Sequence, residues 1–78
     1  MTLEKLLDKT AKLIQFSQYN RDPAFLRCYT RHMGVVKALG YNVELTDMVS
    51  VHSVWLYNDE EAAGVIIQYD RNNILPNL

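Results

Sequence analysis

The hydrophobic period of this 78-residue chain changes once, at Gly40, and that change fixes what it can fold into. Before Gly40 apolar residues recur at the 3.6-residue spacing of a helix; after it they alternate with the two-residue period of a strand. The sign of charge changes at the same place. Residues 1–40 carry seven Lys or Arg against three Asp or Glu, a net of +4, while residues 41–78 carry Arg71 against six acids, a net of −5. The expected fold is therefore α+β: two N-terminal helices packed on one face of a small three-stranded antiparallel sheet, in the order α-α-β-β-β.

Each helix carries its own boundary signals. Thr2 can cap a first helix in which Leu3, Leu6, Leu7, Thr10, Leu13, Ile14 and Ser17 fall on one stripe, with an end expected near Tyr19 and Asn20. Asp22-Pro23 supplies a capping carboxylate followed by proline at the first helical position, where a missing N–H costs nothing. The second helix should run to Leu39, with Gly40 free to take a left-handed conformation. Its apolar arc is wide, about 180° from Val35 through Cys28, Leu39, His32, Phe25, Val36, Tyr29 and Met33 to Leu26, and that width predicts packing against two neighbours, helix 1 and the sheet.

Tyr41 to Leu45 reads as a short edge strand closed by a Thr46-Asp47 turn, and Val49–Tyr57 and Ala63–Tyr69 read as the two main strands. Asn58-Asp59-Glu60-Glu61 between them is a hairpin loop. A four-residue loop pairs Tyr57 with Ala62 and Trp55 with Gly64. His52, Val54, Leu56, Val65, Ile67 and Tyr69 then share the helix-facing side, and Val51, Ser53, Trp55, Tyr57, Ile66 and Gln68 share the outer side. Residues 1–70 are expected to form one domain and 71–78 an irregular tail.

The composition excludes several function classes. A chain of this length buries only about 60–65% of its unfolded surface, so association with a partner is a common source of added stability. A single cysteine, Cys28, excludes an intramolecular disulfide, and with no long apolar run the expected setting is the cytoplasm, with a mature chain starting at or near Met1 and no membrane contact. The three isolated glycines leave no phosphate-cradling loop, and there is no Gly-x-Ser-x-Gly or His-Glu-x-x-His. Asp59-Glu60-Glu61 lacks the alternating ligands of a calcium loop and reads as a solvated turn. No cofactor and no catalytic set is indicated.

Three groups of residues remain as candidates. Cys28 and His32 lie one turn apart on the second helix and His52 can face them from the sheet, the nearest approach to a metal or nucleophile site; without a fourth ligand, packing inside the core is the expected role for Cys28 and a core or core-edge imidazole for each His. Lys9, Lys12, Arg27 and Arg31 on helix exteriors could contact phosphates, which makes nucleic acid the alternative partner. The favoured reading is a non-enzymatic interaction or regulatory module that self-associates, as a dimer, through an edge strand or through an apolar outer sheet face of Val51, Trp55, Tyr57 and Ile66. Phe16 and Tyr19, off the stripe of the first helix, could extend such a surface or pack the interhelix turn. Trp55 folding over Gly64 while the tail covers the rest would instead close that face.

Overall fold

The structure is a computed structural model that describes residues 2–48 and 51–68. Helix α1 (Leu3–Phe16) and helix α2 (Pro23–Ala38) precede strands β1 (Asn42–Met48), β2 (Val51–Tyr57) and β3 (Ala62–Ile66). The strands form an antiparallel sheet in the order β1-β2-β3, and both helices contact it. This is the expected α-α-β-β-β arrangement.

The helix boundaries follow from side chains that satisfy end groups. Thr2 accepts a hydrogen bond from the Lys5 N–H, and Asp22 accepts one from the Ala24 N–H at 2.7 Å, with Pro23 opening α2 behind it. At the far end of α2 the Gly40 N–H donates to Lys37 O and the Tyr41 N–H to Val36 O, the paired bonds of a Schellman ending. That ending requires the left-handed backbone Gly40 adopts, with φ of +93°. Helix α1 stops at Phe16, short of Tyr19, because the chain tightens into a turn in which Tyr19 and Asn20 both donate to Phe16 O.

Burial runs along the predicted α1 stripe: Leu6, Leu7, Thr10, Ile14 and Ser17 are buried, together with Ala11, over the central Val54 and Leu56 of β2. Helix α1 lies over β2 and β3, while α2 sits beside α1 and toward β1. Helix α2 contributes Tyr29, Met33 and Val36 to the same core, with His32 buried alongside. Its apolar arc is only half used. Cys28, Val35 and Leu39, expected inside, are exposed, because α2 buries one stripe against neighbours on a single side rather than being sandwiched between them.

The β2–β3 register is the predicted one, Tyr57 opposite Ala62 and Trp55 opposite Gly64. Asn58 closes the loop by accepting the N–H groups of Glu60 and Glu61 on its side-chain oxygen, while its own N–H donates to Glu61 O. Two boundaries differ from expectation. β1 does not turn at Thr46-Asp47 but continues through them, Thr46 opposite Ser53 and Asp47 opposite His52, until Met48 pairs with Val51. The ladder to β2 overrides the local turn preference of those two residues. β3 ends at Ile66, with one more bond from the Ile67 N–H to His52 O. Tyr69 and the tail 71–78 lie outside the described residues.

Candidate interaction surface

Alternation along β2 and β3 divides the sheet into a helix-facing side and an outer face; the large aromatic side chains of the outer face remain open, and on the helix-facing side Val65, expected to be covered, is exposed as well. Trp55 is 40%, Tyr57 37% and Ile66 73% exposed. Val51 belongs to the same row of β2, but its side chain lies outside what is described. Ile66 stands opposite Ser53, two residues along the strand from Trp55, so the three residues form one patch over β2 and β3.

Packing within the patch follows from a glycine. A Cβ at Gly64 would come within 2.6 Å of Trp55 ring carbons, so the indole lies flat on the Gly64 backbone. From there the Trp55 Nε1–H donates to Ser53 Oγ at 3.0 Å. The ring thereby buries Ser53 on a face where it was expected to be open. Trp55 does fold over Gly64, yet the patch keeps Tyr57 and Ile66 open and one face of the indole with them. The tail, the alternative cover for this face, lies outside the described residues.

The sequence reading missed the rim. By register, Asn42 lies opposite Tyr57, Glu44 opposite Trp55 and Thr46 opposite Ser53, so β1 borders the apolar patch with polar side chains. The signal for them was present in the alternation Asn42-x-Glu44-x-Thr46, but it reaches the patch only once β1 is known to extend to Met48. An apolar centre with a polar border is the usual anatomy of a surface that meets another protein.

The other candidate residues are distributed differently. Thr10 Oγ1 donates to Leu6 O at 2.8 Å and stands 2.7 Å from His32 Nε2. With the hydroxyl proton committed to Leu6, the imidazole carries its proton on Nε2 and donates it to Thr10. Burial, and then the nearby Lys9 charge, lower the His32 pKa from its ordinary value, so the ring is neutral near pH 7. His32 is thus a satisfied core imidazole, and His52 is half-buried on the helix-facing side. Among the described residues no three His, Cys, Asp or Glu side chains converge as a metal would require.

The four basic candidates do not share one environment. Lys12 Nζ pairs with Asp8 at 2.9 Å and also borders a groove with Gln15, Phe16, Tyr19 and Gln68. Phe16 and Tyr19 are both exposed there, and the turn that carries Tyr19 is anchored instead by the Gln18 Nε2 donating to Gln68 O. Arg27 and Arg31 border a shallow groove with Leu26 and Thr30, whereas Lys9 and Arg31 line a separate cleft between the helices. No helix among the described residues is long and apolar enough to cross a membrane. Comparison with protein-family models, with curated proteins and with solved structures gives no match.

Proposed function

We propose that this protein is a small non-enzymatic interaction module that self-associates as a dimer through its outer sheet face. The observation that carries the reading is the open Trp55, Tyr57 and Ile66 patch on the side of the sheet opposite the helices. The helices contact the sheet from its other side, so this face lies opposite the helical layer.

A two-fold arrangement lets the same patch serve both copies, with Trp55 and Tyr57 at its centre and Asn42 and Glu44 at its rim. Aromatic residues at the centre of such a contact carry much of its free energy, because they bury large area with few rotatable bonds to immobilise. Regulation by, or of, another protein fits the same face, and a cytoplasmic setting fits the free Cys28.

The experiment is light scattering on the intact chain and on Ile66→Glu. Ile66 is the most open of the three, so a carboxylate there leaves the monomer core untouched while placing a charge inside the contact. The expected result is a native particle of twice the 9.0 kDa chain mass and a monomeric variant. A monomeric native chain, or a variant that dimerises equally well, removes the reading.

A further inference from the structure

A second surface, on the opposite side of the molecule, has the chemistry of a small-molecule site. Leu6 and Lys9 of α1 and Cys28, Arg31, His32 and Val35 of α2 enclose a cleft of about 340 Å³, within the range of about 300–1,000 Å³ typical of ligand pockets. Val35 gives the cleft an exposed apolar wall over the buried Leu6, and two of its lining side chains, Lys9 and Arg31, are cations. Lys12 pairs with Asp8, whereas among the described residues Lys9 and Arg31 take part in no ion pair. His32 at the base is neutral and already bonded to Thr10, so it adds neither charge nor an unmet need.

We propose that this cleft binds a small organic phosphate monoester, its phosphate held between Lys9 and Arg31 and its apolar body against the exposed Val35 and Cys28. A dianion matches two unpaired cations, whereas a carboxylate would neutralise only one. The Arg31 guanidinium can fork two phosphate oxygens, and the Lys9 ammonium acts as a point charge beside them. The ligand is small because the cleft holds about 340 Å³ and Lys9 and Arg31 are its only lining cations, with Arg27 bordering the neighbouring groove beside Leu26 and Thr30 and Lys12 held by Asp8. The field of Lys9 already reaches the base of the cleft, since it is one of the two causes that lower the His32 pKa.

Cys28 lines the same cleft and is the only thiol in the chain, so its accessibility reports occupancy. The test measures alkylation of Cys28 by iodoacetamide, a neutral reagent, with and without hexyl phosphate. At four times the dissociation constant, occupancy slows the reaction about five-fold. The Lys9→Gln/Arg31→Gln double variant, compared with itself with and without ligand so that its own thiol reactivity cancels, should show no protection. Hexanol and inorganic phosphate should each protect less than the ester. The proposal is overturned if hexyl phosphate gives no protection at millimolar concentration, if hexanol protects equally, or if the double variant is protected like the native chain. Phosphatidylcholine vesicles containing phosphatidic acid provide the remaining arm. Protection by vesicles but not by the soluble ester would transfer the phosphate to a lipid headgroup and overturn the small-ligand assignment.

Discussion

Replacing Tyr29 by Phe should stabilise the fold, and the reasoning can be worked from the surroundings of one hydroxyl. Tyr29 is 2% exposed and its ring meets Phe25 at a centroid distance of 6.2 Å, a contact the substitution keeps. Its hydroxyl is buried with no hydrogen-bond partner among the described residues. A buried hydroxyl without a partner costs about 1–3 kcal/mol, so deleting the oxygen should raise stability by about 1 kcal/mol or more at pH 7. For a domain of this size that is a Tm increase of roughly 4–8 °C per kcal/mol. Ordinary Tyr→Phe changes at bonded hydroxyls go the other way, so the sign itself is informative.

The same hydroxyl sets a second, pH-dependent readout. Burial pushes the Tyr29 pKa up to about 12, from 10.0. Below pH 10 both folded and unfolded Tyr29 keep the proton and stability is unaffected. Between pH 10 and 12 the unfolded chain releases a proton that the folded chain retains, so stability falls by about 1.4 kcal/mol per unit, about 2.7 kcal/mol across the interval. Tyr29→Phe should remove that portion of the alkaline loss. Chemical denaturation of both proteins at pH 7, 10 and 11.5 measures the two effects together. A variant less stable at pH 7 with an unchanged alkaline limb would refute the argument, since it would mean the hydroxyl is bonded in the folded state.

Two further outcomes follow from particular contacts. Gly64→Ala must drive the indole off the backbone and break its bond to Ser53, with an expected loss of about 1–3 kcal/mol and red-shifted Trp55 emission; unchanged emission at unchanged stability would show that the ring does not lie there. For His32 the folded pKa is depressed, so its contribution is complete above the unfolded value near 6.5 and is lost as pH falls from there toward the folded pKa. The stability difference between pH 7 and pH 5 should therefore shrink in His32→Gln, and an equal difference in both proteins would contradict the buried neutral imidazole.

Local signals placed the fold well where one residue controls one boundary. Thr2, Asp22-Pro23 and Gly40 mark helix ends through their own backbone or side-chain chemistry, and the Asn58 loop sets the β2–β3 register by its length. Features that depend on how many neighbours an element has were not legible in the same way. A helical wheel assigned Cys28, Val35 and Leu39 to an apolar arc, but angle around a helix does not say whether a second layer covers it. The length of β1 depended on pairing with β2, and Thr46-Asp47 in isolation favours a turn. The patch of Trp55, Tyr57 and Ile66 was readable from alternation, whereas the burial of Ser53 beneath the indole required the close approach to Gly64. The charge division along the chain marks its two structural layers. Within the helical layer it becomes more specific, with Lys12 held by Asp8 and Lys9 and Arg31 turned to a cleft of their own.

The central claim, that the outer sheet face joins two copies, is tested most directly by following mass and Trp55 emission together on dilution from high micromolar to nanomolar concentration. Because the contact is apolar, the account predicts a dimer at micromolar concentration that persists in high salt, and a red shift of the single tryptophan as dilution separates the copies. A monomer at every concentration, with emission that never changes, would contradict it. A dimer that dissociates as salt rises, with Trp55 unaffected, would equally contradict it and move the contact to the oppositely charged helical and hairpin surfaces.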